Sequence, residues 1–178
     1  MIRDLEEILY TNEQIVERCK ELGEQITKDY EDKFPVVVGM LKGSVPFMAE
    51  LIKHINCHME TDYMEASSYS GTKSTLIVNI KKDTSVNITG RHVLIVEDII
   101  DTGLTLTEVL NVLRRRDPAS IEIVSLLNKE EGRTVSGLNA KYNGFEIPNK
   151  FVVGFGLDYN QKYRNLGLIG VLKKEVYS

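Results

Sequence analysis

A chain of 178 residues with 42% apolar side chains has the material for one buried core and is too apolar to remain disordered. Thirteen glycines and four prolines, without a repeat, exclude collagen-like and low-complexity architectures. A net charge of −4 argues against a nucleic-acid-coating protein, because phosphate backbones reward a basic face, yet a phosphorylated small molecule needs only a few well-placed donors.

The first residues carry early acids and no apolar h-region, and Cys19 and Cys57 cannot build a multi-bridge framework. Both features point to the reducing cytoplasm. The longest apolar runs, such as residues 35–41 and 93–96, are far too short to span a bilayer, so no membrane partner is expected. The Asn87-Ile-Thr89 sequon then reads as chance.

Along the chain, Thr11-Asn-Glu-Gln14 reads as a capping box. Behind it Ile15, Cys19, Leu22 and Ile26 fall at helical spacing, with Gly23 a modest interruption. Residues 35–40 read as a buried strand, and Ser44 is placed to cap a following helix that carries Phe47, Met48, Leu51 and Ile52. Residues 57–69 and 74–81 read as extended. The polar stretch from Ser67 to Ser74 between them is expected to be a mobile loop.

Residues 91–96 form a short apolar run rich in β-branched side chains. A helix is predicted over 104–116, with Leu106, Val109, Leu110 and Leu113 on one face and Asp117-Pro118 as its stop. Strands follow at 121–127 and 150–153. Strands alternating with helices predict an α/β fold with a mainly parallel twisted sheet flanked by helices. The whole of 1–178 is expected to be one domain. Periodicity leaves open whether the N-terminal helix and the tail after residue 155 pack as a separate small lobe.

The chemistry concentrates in Val93-Leu-Ile-Val-Glu-Asp-Ile-Ile-Asp-Thr-Gly-Leu-Thr-Leu106. An apolar strand runs into Glu97 and Asp98, a third acid follows at Asp101, and Thr102, Gly103 and Thr105 open a helix. Ligands of open α/β sheets collect beyond the carboxyl ends of the strands, and a helix start offers free N–H groups to an anion. The acids repel phosphate, so they suit sugar hydroxyls and bound cations. One molecule with a phosphate, a diol and a metal satisfies every group. The alternative is a solvated turn with Thr102 as a plain N-cap.

This segment resembles the phosphoribosyl-pyrophosphate signature of type I phosphoribosyltransferases: four apolar residues, two acids, two apolar residues, Asp-Thr-Gly, any residue, Thr. Four more segments resemble the hypoxanthine/guanine branch of that family. They are Leu41-Lys42-Gly43, Ser68-Tyr69, Leu126-Leu-Asn-Lys129, and residues 151–160 with Arg164 beyond. The resemblance spans roughly residues 10–175, in the expected order.

The resemblance implies purine salvage: transfer of the 5-phosphoribosyl group from phosphoribosyl pyrophosphate to hypoxanthine or guanine, releasing pyrophosphate. Xanthine is a near alternative base. It implies Mg²⁺ as cofactor, with Asp158, Glu97 and Asp98 near the metal or its water shell. Arg164 and the backbone of Leu41, Lys42 and Gly43 would hold pyrophosphate. Ile99, Asp101, Thr102, Gly103, Leu104 and Thr105 would wrap the 5-phosphate. Asp101 would also be the general base near purine N7.

Lys129 would donate to a 6-oxo group, since an ammonium has donors only. Phe151 would stack on the ring, Val152 would read its edge, and Ser68 and Tyr69 would close over the site. Arg133 would support the pyrophosphate side. Glu130-Glu131-Gly132 departs from relatives that are basic there, and Gly156 falls where relatives vary. A homodimer or homotetramer is expected on the same ground. The rival reading, a nucleotide-sensing RNA-binding regulator on this fold, wants a basic face that the chain lacks.

Four other patterns carry weaker signals. His54, Cys57 and His58 lack a fourth ligand nearby for zinc. Gly71-Thr-Lys-Ser74 and Gly154-Phe-Gly156 fall short of phosphate-loop and dinucleotide fingerprints. Residues 114–116, three arginines, suit a helix end.

Overall fold

The computed structural model describes residues 1–70 and 76–178. Strand β1 (Leu5–Tyr10) leads into α1 (Asn12–Tyr30), whose start is the expected capping box. The Thr11 hydroxyl accepts from the Gln14 amide at 3.3 Å, and the Gln14 side chain accepts from the Thr11 amide at 2.9 Å. Then follow β2 (Val36–Met40), α2 (Val45–Leu51), β3 (Glu60–Ser70) and β4 (Leu76–Lys82). After these come β5 (His92–Ile100), α3 (Leu104–Arg114), β6 (Ser120–Asn128) and β7 (Tyr142–Glu146). The chain ends with β8 (Val152–Val153), β9 (Ile169–Leu172) and the short α4 (Lys174–Tyr177).

The large sheet has the order β4-β3-β2-β5-β6-β7, with every neighbour parallel except the β3–β4 pair. Helices cover both faces, which is why the central strands are apolar throughout. Period-two alternation divides them. Val37, Leu94, Val96, Val124 and Leu126 join Ile15, Cys19, Leu22, Ile26, Phe47 and Met48 on the α1–α2 side. Val36, Val38, Val93, Ile95 and Ile123 meet Leu106, Val109, Leu110 and Leu113 of α3 on the other. A second sheet, β1-β9-β8, is antiparallel and has its own cluster of Leu5, Val153, Tyr163, Leu166 and Leu172.

Several expectations change. The N-terminal helix packs on α2 and the large sheet, in a cluster that also takes in Val152, Ile169 and Val171 of the small sheet. The last predicted strand shrinks to Val152–Val153 and lies in the small sheet. Residues 67–70 continue β3 instead of starting a loop; Gly71–Ser74 lie outside the described residues. Ser44 precedes α2 without capping it: its hydroxyl is buried and, among the described residues, has no hydrogen-bond partner. Pro46 in the first turn removes an amide that a cap would have satisfied. Among the described residues no helix is long and apolar enough to cross a membrane.

Candidate active site

The chain leaves β2 toward β3 on one side and returns at β5 on the other. The carboxyl ends of β2 and β5 therefore flank a topological switch point, where a crevice opens between diverging connections. β2 delivers Leu41, Lys42 and Gly43 to this point, and β5 delivers Glu97, Asp98 and Ile99. The Leu41–Lys42 peptide is cis. Gly43 is buried against Asp98, and a Cβ there would lie 1.8 Å from Asp98 Oδ2. Gly156 in turn, at φ +101°, packs against the Gly43 carbonyl, so the segment between the small sheet's strands closes on the same point.

Strand β5 runs four residues past the predicted end at Val96. Glu97 pairs in register with Ser125, Ile99 with Leu127 and Ile100 with Asn128. Glu97 and Asp98 are consequently strand residues with restricted access to water. Burial pushes the Glu97 carboxyl well above the usual carboxylate range, and the charge of Asp98 adds to this. Burial also pushes Asp98 up to about 6; the Ile99 amide, at 2.8 Å, and the Arg164 charge oppose the rise, and Asp158 reinforces it.

A carboxyl whose folded pKa is raised favours the folded state below its ordinary value of 3.8, and that advantage is lost as pH climbs through about 6. In metal-free buffer, Asp98→Asn should melt above the parent at pH 8, and the gap should narrow toward pH 4. Thermal melts across that range check it; a gap independent of pH would contradict the assignment.

Beyond β5 the chain turns through Asp101 and Thr102 to Gly103, whose φ of +80° a side chain would resist. α3 begins there with no acid in its first turn. A recess of about 160 Å³ is lined by Glu97, Ile99, Ile100, Asp101, Thr102, Gly103, Thr105 and Leu106. A helix start without acids, faced by two threonines, suits an anion. The Thr105 hydroxyl donates to Ser68 Oγ at 2.8 Å, tying the end of β3 to this turn. Thr102 Oγ1 accepts weakly from the Leu104 amide at 3.4 Å.

Arg133 lies beside this turn. Its Nε donates to the Asp101 carbonyl at 3.1 Å, one terminal nitrogen donates to the Leu138 carbonyl at 2.6 Å, and the other donates to Asn128 Oδ1. All three guanidinium nitrogens are thus engaged by protein acceptors, one of them the Asp101 backbone.

A second recess of about 240 Å³ adjoins the first and shares Ile99 and Asp101 with it. Asp98, Lys129, Phe151, Val152, Leu157 and Asp158 complete its lining. Lys129, only 7% exposed, donates to Asp101 Oδ2 at 3.1 Å. The edge-side neighbour of this pair is Gly132, where a Cβ would lie 2.3 Å from Asp101 Oδ1. Arg164 pairs with Asp158 at 3.0 Å and donates to the Gly156 carbonyl at 2.8 Å. The Asp158 carboxylate also accepts from the Gln161 amide at 2.8 Å.

Most of the residues singled out from sequence thus meet around two joined recesses. Leu41, Lys42, Gly43, Ser68, Leu104 and Arg164 line neither recess, and Leu104 turns partly to solvent. The Tyr69 side chain lies outside the described residues. Sequence reasoning missed Leu157, which faces the second recess, and Gly132, whose missing side chain makes room for Asp101. A glycine straight after two acids was the available signal for the second; an isolated leucine carries none.

A family model described as a phosphoribosyl transferase domain matches residues 6–160. The hypoxanthine-guanine phosphoribosyltransferase of Streptococcus pneumoniae is 55% identical over 176 residues, covering 98% of this chain and 97% of that protein. The protein of the same name from Lactococcus lactis is 56% identical over 175 residues, covering 98% and 94%. Among solved structures, a hypoxanthine phosphoribosyltransferase from Staphylococcus aureus superposes with a TM-score of 0.96 at 52% identity, covering 100% of this chain and 97% of that one. With the strand-end acids, the Asp-Thr-Gly turn and this agreement over nearly the whole length, the chain belongs to the phosphoribosyl transferase family.

Proposed function

We propose that the chain is a purine-salvage enzyme that moves the 5-phosphoribosyl group of phosphoribosyl pyrophosphate onto hypoxanthine or guanine, giving the nucleoside monophosphate and pyrophosphate. One observation carries this reading: two joined recesses, one anion-friendly and one walled by Phe151 and Lys129, with Asp101 between them. A ribose 5-phosphate in the first and a purine in the second would meet beside that carboxylate.

The bond from the anomeric carbon to pyrophosphate breaks and a bond to the purine nitrogen forms, with positive charge building on the sugar in between. Asp101, near purine N7, takes the proton. The turn from Ile99 to Thr105 binds the 5-phosphate. Glu97 and Asp98 hold the ribose hydroxyls, and Leu41, Lys42, Gly43 and Arg164 hold the pyrophosphate. Lys129 donates to the 6-oxygen, Phe151 stacks on the ring and the Val152 backbone reads its edge. Ser68 and Tyr69 close over the substrates and exclude water.

The donor set fits Mg²⁺. Asp98, Asp158 and Glu97 are hard carboxylates whose charges oppose one another, a repulsion that a cation relieves. Among the described residues no three acids, histidines or cysteines are grouped to hold a metal by themselves; Mg²⁺ would take these carboxylates and keep several waters. When bound, Mg²⁺ stabilises the departing pyrophosphate as a Lewis acid.

Gly132 has a role in this scheme through the space it leaves. Gly132→Ala should lower kcat roughly 10- to 100-fold by displacing Asp101, with little change in thermal stability. Steady-state kinetics beside a melting curve check it; a parental kcat would remove Gly132 from the account.

On the family resemblance the chain is read as one domain whose β1-β9-β8 sheet is the hood, as a homodimer or homotetramer, and as cytoplasmic. The net charge of −4 supports the absence of a nucleic-acid partner. A panel of bases with phosphoribosyl pyrophosphate and Mg²⁺ tests the whole reading. Hypoxanthine and guanine should form nucleotide and adenine should not, with xanthine's rank read from the same panel. Turnover of adenine alone, or of none, would overturn it.

A further inference from the structure

We infer that Tyr177, at the end of the chain, is a positioning residue for the purine: it backs the Phe151 ring and sets the plane that Phe151 offers to the base. The inference rests on the reading of the second recess as the base site. Phe151 is 38% exposed and lies just before β8; its carbonyl accepts from the Leu172 amide at 2.9 Å, which fixes its backbone and leaves the ring to its neighbours. Aromatic neighbours hold it. Tyr177 stacks on the ring with centroids 4.8 Å apart and planes 22° apart. Tyr159 meets it edge-on at 5.8 Å and 88°, and Tyr159 and Tyr177 also touch, at 6.4 Å.

Phe151 lines the second recess, whereas Tyr159 and Tyr177 do not. Tyr177 thus occupies one face of a ring that also borders the recess. A ring already packed on one face has less freedom left to lose when a base arrives. Stacked aromatic pairs also contribute beyond the area they bury.

Tyr177 is itself anchored. Val176 and Tyr177 pack on the cluster of Leu5, Val153, Tyr163, Leu166 and Leu172. The Lys173 amide donates to the Asp4 carbonyl at 2.9 Å, and the Ser178 amide to the Lys174 carbonyl at 2.9 Å. Val152 of the small sheet lines the base recess directly, and α4 reaches it through the Tyr177–Phe151 stack.

The test uses the full chain with Mg²⁺ and phosphoribosyl pyrophosphate, comparing Tyr177→Ala, Tyr177→Leu and Tyr177→Phe, with Phe151→Ala as a control. Tyr177→Ala and Tyr177→Leu should raise the KM for hypoxanthine roughly three- to tenfold and leave the KM for phosphoribosyl pyrophosphate at its parental value. Tyr177→Phe keeps the ring and should restore the parental KM. Leucine preserves apolar contact with the cluster, so it separates loss of stacking from loss of fold. A parental hypoxanthine KM in both ring-deleted variants, or a parallel rise for both substrates, overturns the inference. If Phe151→Ala also leaves the hypoxanthine KM unchanged, the base-site reading fails with it; if Phe151→Ala raises that KM, only the role of Tyr177 fails.

Discussion

Asp101→Asn should lower turnover roughly 10²–10⁴-fold while phosphoribosyl pyrophosphate still binds. The substitution is nearly isosteric, and an asparagine Oδ1 can keep accepting from Lys129 Nζ, now at 3.1 Å from the carboxylate. The Arg133 bond to the residue 101 carbonyl involves backbone and is untouched. What disappears is the ability to take a proton at the junction of the two recesses. Steady-state turnover and the binding constant for the sugar pyrophosphate, measured on the same preparation, separate chemistry from binding. Unchanged turnover would exclude Asp101 as the base.

Lys129→Ala should act on the base and spare the sugar. Lys129 is almost fully buried, its backbone amide is fixed to the Ile100 carbonyl at 3.0 Å, and its ammonium has three protons for a ligand and Asp101 to share. Loss of a hydrogen bond from a charged donor costs about 1.5–3 kcal/mol, so affinity for hypoxanthine should fall roughly 10- to 150-fold. Discrimination against 6-amino purines should fall too, because the group that prefers an oxygen is gone. Competition between hypoxanthine and adenine measures both. A change confined to the binding constant for phosphoribosyl pyrophosphate would mean that β6 ends at a different subsite.

The core and much of the site were legible because their signals are local. Thr11 and Gln14 make a capping box within four residues, and Leu106, Val109, Leu110 and Leu113 mark the buried face of α3 by spacing alone. The Asp101-Thr102-Gly103 turn announced itself through a glycine now found at φ +80°. The strand end at Val96 was set too early because Glu97 and Asp98 look like solvated residues, yet sheet pairing with β6 holds them in extended backbone through Ile100. Strands β1, β7 and β9 went unseen for a related reason. Leu5–Tyr10 and Ile169–Leu172 are distant in sequence and are stabilised by each other. The Lys129–Asp101 pair, the Arg133 brace and the Phe151–Tyr177 stack arise from tertiary contact and have no local periodicity.

The proposed function requires a sugar phosphate in the turn after β5 and a purine against Phe151, with the Asp101 carboxylate between them. A crystal structure with bound inosine monophosphate measures this directly. The account predicts the 5-phosphate on the amides of residues 101–105, the ring over Phe151, and Asp101 within hydrogen-bond distance of N7. A nucleotide bound elsewhere, with this turn empty and Asp101 turned to bulk water, would contradict it.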